Sequence, residues 1–182
     1  MTTTLPASVE LLGRALDYTR ERLAGVRGGL LDRATPCADW RLHDLLVHME
    51  DSLDAFTEAA GGEVAVHLTR TVEGRIAAIE QKACALLGVW SRPGPGDVLV
   101  GGLDLTSSLL VATAALEITT HGWDVGRATG EDTAIPADLA TALLPIAHLT
   151  VTTADRGVRF APERPAAGDA ADVRLLAFLG RT

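Results

Sequence analysis

The sequence is poor in residues that staple, stack or anchor. Its 182 residues include two Cys, one Tyr, three Phe and three Trp. Two cysteines cannot build a disulfide framework, so a reducing cytoplasm is the expected location. No basic stretch followed by an apolar one opens the chain, so no secretory leader is expected. The uncharged run Leu105 to Leu116 falls short of the ~20 apolar residues a membrane helix needs. Basic residues are also in deficit, with Lys plus Arg at 16 against 24 Asp plus Glu, a net charge of -8. Binding nucleic acid or an anionic membrane needs a basic surface, so neither is expected as a partner.

What is present is material for a core. Hydrophobic residues make up 47% and charged residues 22%, the balance of a globular chain rather than a disordered one. The length suits a single domain over residues 1–182. Apolar positions recur at helical spacing and predict helices over 9–26 (entered at Pro6), 40–60, 70–90, 104–128, 136–155 and 169–179. Asp39 and Asp104 are the expected caps of the second and fourth. Gly28-Gly29, Gly61-Gly62, Pro93-Gly94-Pro95-Gly96 and Gly130 separate the segments, and Pro145 is expected to kink the fifth. Strand signals are few. The fold class is therefore all-α, an up-and-down four-helix bundle with additional short helices.

The fourth helix carries the chemistry. Between Asp104 and Asp124 a single carboxylate, Glu117, sits among Leu109, Leu110, Val111, Ala114, Leu116 and Ile118. A helix apolar nearly all round is buried, and a buried carboxylate needs a cation, hydrogen bonds or a proton. His121 lies one turn further on the same face, followed by Asp124. A Glu and a His at this interval can converge on one divalent ion, or form a buried ion pair. The interval itself is common here, since His43, His48 and His67 also follow an acid by four positions. What distinguishes Glu117 and His121 is the uncharged helix around them.

A metal needs a third ligand, and His48 is the best placed. A helical step of about 100° sets it roughly 40° from Ser52, at the edge of the apolar stripe, and sets His43 about 140° away on the polar side. Asp124 either orients His121 from behind or caps the helix end. Cys37 precedes a helix N-terminus, where a thiol pKa can fall, but is expected to pack; Cys84 reads as core. Trp40 and Trp123 read as packing residues.

Four segments carry a family resemblance. They are Thr35-Pro36-Cys37-Ala38-Asp39-Trp40, Leu45-Leu46-Val47-His48, Glu117 with His121-Gly122-Trp123-Asp124, and Arg127-Ala128-Thr129-Gly130. In this order they resemble the DinB-like metal-binding proteins, in the branch related to the N-terminal domain of mycothiol-dependent maleylpyruvate isomerase. The closing Leu175-Leu176-Ala177-Phe178-Leu179-Gly180-Arg181 is similar to the end of the short, single-domain members.

The resemblance implies a divalent metal, zinc or nickel, held by His48, Glu117 and His121, with an open position that activates a thiol or water. The thiol would be of low molecular weight, such as mycothiol, acting on a small-molecule substrate. The isomerase carries a further C-terminal domain and this sequence ends at Thr182, so maleylpyruvate isomerisation itself is not expected. A thiol-dependent transferase or isomerase-like enzyme is the first expectation, and a metal-dependent hydrolase of the same bundle falls within it. The second is a non-catalytic metal or small-molecule binding or stress protein. The third is a homodimerisation module in which Glu117 and His121 form a structural pair.

Overall fold

The computed structural model describes residues 7–37, 39–64, 71–91, 97–100 and 103–181. The expected roles of Pro6, Ala38, His67 and Pro93 to Gly96 lie outside the described residues. The fold is an all-α helical bundle. Its helices are α1 (Ala7–Leu23), α2 (Leu42–Ala59), α3 (Val72–Trp90), α4 (Ser107–Thr129), α5 (Ala137–Thr150) and α6 (Ala171–Phe178). A hairpin of two four-residue strands, β1 (Asp97–Val100) and β2 (Leu103–Thr106), precedes α4, too little strand to change the class.

The four longest helices pack in a ring. α1 lies mainly on α4 and α2 on α3, while α2–α4 and α1–α3 contacts close the circle. Apolar periodicity drives this packing. Leu11, Leu12, Ala15 and Leu23 of α1 and Leu42, Leu45, Leu46 and Leu53 of α2 are buried together. From Leu110 to Ala128, α4 is buried on almost every side, as its uncharged sequence requires. Small residues let α1 reach it. A Cβ at Gly122 would crowd the Thr19 hydroxyl and come 3.1 Å from Thr19 Cβ. Thr19 Oγ1 donates to the Ile118 carbonyl at 2.9 Å across the same seam. α5 packs on α4, and α6 packs on α5.

Helix starts depart from the sequence reading in two places. Asp39 does not cap α2. It occupies the left-handed region at φ 67°, and Asp44, inside the first turn, accepts instead from the Arg41 amide at 3.0 Å. Asp104 does not cap α4, because it pairs in β2 opposite Leu99. α5 ends at Thr150, and a short 3₁₀ turn, Thr153–Asp155, replaces its expected last turn. Cys84, expected in the core, is exposed. Among the described residues no helix is long and apolar enough to cross a membrane.

Candidate metal centre

The packing of α2 on α4 sets His48 against Glu117 and His121. His48 Nε2 lies 2.8 Å from Glu117 Oε1, and His121 Nε2 lies 3.1 Å from the same oxygen. The two imidazoles stand nearly perpendicular, at 84°, with centroids 4.9 Å apart. The three ligand atoms all fall within 4.8 Å of one another. Two imidazole nitrogens and one carboxylate oxygen are a donor set suited to a divalent transition metal. Ser52 Oγ, 3.3 Å from His48 Nε2, sits beside them. Trp40 covers both imidazoles, its ring 4.6 Å from His48 and 6.2 Å from His121.

Behind His121 runs a chain of charges. His121 Nδ1 donates to Asp124 Oδ2 at 3.0 Å. Asp124 is fully buried and takes three further bonds from Arg181, at 2.9 to 3.3 Å through Nε and Nη2. The Nδ1–H bond fixes the ring so that Nε2 faces Glu117, the arrangement that orients metal-binding histidines. Of the two roles open to Asp124, the structure has it contacting His121.

A helix end delivers Arg181. α6 closes with the Gly180 amide on the Ala177 carbonyl at 3.0 Å and the Arg181 amide on the Leu176 carbonyl at 2.8 Å. This is the Schellman arrangement, which requires a left-handed residue, and Gly180 supplies it at φ 77°. The Ala161 backbone and Cβ lie within 3 Å of where a Gly180 Cβ would be. The guanidinium is thereby turned inward, its Nη1 also donating to the Leu179 carbonyl at 3.1 Å.

Burial and pairing compete at each titratable group. Burial pushes the Glu117 carboxyl up. The His121 charge and the bonds from both imidazoles outweigh it, holding Glu117 well below the carboxylate range. Burial disfavours a charged His121. The Glu117 charge and the Asp124 bond prevail, raising it from 6.5 to about 9. Burial also opposes ionisation of Asp124, and Arg181, with help from His121, pulls it below its ordinary value. Glu117, His121 and Asp124 thus favour their charged forms and, with Arg181, make a buried ion-pair cluster.

A second trio, Cys37, His121 and Asp124, is also mutually close. It suits a metal less well. Burial, reinforced by the Asp124 charge, pushes the Cys37 thiol up to about 11, and Asp124 is already engaged by Arg181. The lowering of this thiol by a helix N-terminus, weighed from sequence, does not occur.

Two cavities meet at the centre. One, about 560 Å³, is the more polar of the two, with a mixed lining, and opens past Trp40 and His48 toward Arg159, Phe160 and Arg181. The other, about 350 Å³, lies within the helix ring among α1, α2, α3 and α4. Among the described residues, Glu117 and His121 alone line both.

No protein-family model matches the chain, and no solved structure matches it. Two proteins of Mycobacterium tuberculosis, one from strain CDC 1551 / Oshkosh and one from strain ATCC 25618 / H37Rv, both named only as uncharacterised, are similar to it. Each is 28% identical over 185 residues, spanning 93% of this chain and 94% of its own length.

The other two described histidines are elsewhere. His43 is exposed on the polar face of α2, and His148 packs on Phe178 at 4.1 Å. Sequence reasoning missed the roles of Arg181 and of Trp40. Arg181 meets Asp124 across 57 positions, beyond any periodicity. Trp40 offered a signal, since it stands in the same motif as Cys37 and eight residues before His48.

Proposed function

We propose that His48, Glu117 and His121 hold a divalent metal, zinc or nickel, and that the chain is a metal-dependent enzyme of DinB-like type. The observation that carries this is the convergence of two imidazole nitrogens on one carboxylate oxygen, backed by the Asp124–Arg181 pair. The pair keeps His121 Nδ1 protonated and leaves Nε2 for the ligand position. When bound, such an ion lowers the pKa of a thiol or water at its open position.

The chain's own residues supply the rest. Trp40 shields the imidazoles, and the larger, mixed-lined cavity of about 560 Å³ has room for a small-molecule thiol such as mycothiol. Arg159, Arg181 and Thr120 on its lining suit a ligand with polar groups. The reaction class that fits is a thiol-dependent transferase or isomerase-like step, located in the cytoplasm. A non-catalytic metal or small-molecule binding protein uses the same centre. Its sign would be a metal that no low-molecular-weight thiol approaches, read as no thiolate-to-cobalt charge-transfer band in the cobalt form.

One observation favours a further reading. Glu117 is already bonded to both imidazoles, so the cluster can stand as a structural ion pair without metal. The deciding experiment is elemental analysis of tag-free protein. Near-stoichiometric zinc or nickel supports the proposal. Less than about a tenth of an equivalent, with no uptake on addition and no change in Tm on chelation, overturns it.

A further inference from the structure

The cavity inside the helix ring has a chemistry of its own. Its walls are Leu16 and Leu23 of α1, Met49 and Leu53 of α2, and Ile79 and Leu87 of α3. Its polar floor is Glu117 and His121, and Ser52 stands near it. Charged groups appear at the rim, where exposed Asp17 and Arg20 lie 3.8 Å apart and Glu80 faces them from α3. Between rim and floor the walls are apolar, and the two charged groups of the floor already pair with each other, so an ionised ligand would lose water there without gaining a free countercharge. At about 350 Å³ the space lies at the small end of ligand sites.

We propose that this cavity binds a compact, uncharged, apolar small molecule whose end group reaches Glu117 and His121. As the substrate's site this rests on the metal reading above. The two cavities then divide the work, with the polar thiol entering past Trp40 and the apolar partner entering between α1 and α3. Their shared residues are the two through which both ligands meet one centre.

The test uses the full chain and the neutral dye N-phenyl-1-naphthylamine, which brightens in apolar surroundings. Wild type is expected to bind one dye per chain, saturably. Gly13 lines the cavity, and a Cβ there meets nothing within 4 Å. Gly13→Phe therefore starts its side chain in open space at the cavity, and Ala83→Trp adds bulk to the same space from α3. Each is expected to weaken dye binding at least about tenfold. Exposed Cys84 also lines the cavity, so bound dye should slow its alkylation by N-ethylmaleimide. Cobalt taken up at the centre should quench the bound dye.

Absence of saturable binding overturns the proposal, as does binding that both filled variants leave unchanged. Cobalt uptake that leaves the dye's emission untouched also overturns it, because the dye then sits away from the floor. Metal content is measured on the same samples. Dye binding lost only in the filled variants while cobalt is never taken up removes the metal reading and leaves the apolar site standing.

Discussion

The Trp40 ring lies 4.6 Å from the His48 ring and is inclined to it by 55°. An indole so close to a proposed metal ligand would be a built-in reporter. Nickel or cobalt, added to metal-free protein, is expected to quench tryptophan emission with a one-to-one endpoint. Trp40→Phe should abolish most of the response, because Trp90 and Trp123 line neither cavity. Quenching that survives Trp40→Phe would place the ion elsewhere.

Removing a ligand and removing its support should differ in degree. His48→Ala and Glu117→Gln each delete a ligand atom and are expected to abolish stoichiometric zinc binding. Asp124→Asn keeps every ligand but loosens His121, and should weaken affinity by about 10–100-fold. Competition against a chromophoric chelator gives all three numbers. Equal affinity in wild type and His48→Ala would show that His48 is not a ligand.

Metal-free protein should lose stability as the medium turns alkaline. His121 is raised from 6.5 to about 9 in the fold, so its contribution is complete below 6.5 and is lost as pH rises through about 9. Glu117 and Asp124 are lowered, so theirs is present above the ordinary carboxylate values and lost on acidification. Metal must displace the His121 proton. The Tm gain from added zinc is therefore expected to grow from pH 6.5 to 9, with proton release seen in weakly buffered solution. A zinc-induced gain that is flat across this interval would argue against His121 as a ligand.

Arg181 should matter more to stability than a residue so late in the sequence usually does. Its side chain is 5% exposed and its partner Asp124 is at 0%. Arg181→Ala strands a buried carboxylate and should cost about 3–5 kcal/mol in denaturant unfolding. Pairing it with Asp124→Asn should recover part of that, since the two substitutions share one interaction. Gly180→Ala forces a Cβ to 2.7 Å from that of Ala161 at a left-handed φ, and should cost about 1–3 kcal/mol. Strict additivity of the Arg181 and Asp124 variants would mean that the pair is not coupled.

The legible parts of this protein are those written in local patterns. The stripe Leu42, Leu45, Leu46, Leu53 and the uncharged flanks of Glu117 announce α2 and α4, because burial repeats at the helical period. His48 was reachable by the same arithmetic, as an edge position. The β1–β2 hairpin was also signalled, by apolar runs flanking Gly101-Gly102, but a helix cap at Asp104 competed for the same residues. Cys84 was misjudged because its neighbours are apolar while its side of α3 borders a cavity. Which helices adjoin, and that Arg181 closes on Asp124, follow from tertiary packing that one sequence does not spell out.

That closing link also sets an order of events. α4 leaves the ribosome tens of residues ahead of Arg181, so Asp124 must wait through the synthesis of α5 and α6 without its guanidinium. Until then its carboxylate must stay hydrated or take up a proton, because a buried carboxylate without a partner is costly. The full chain from His121 through Asp124 to Arg181 can close only once α6 and the Gly180 turn at its end are in place.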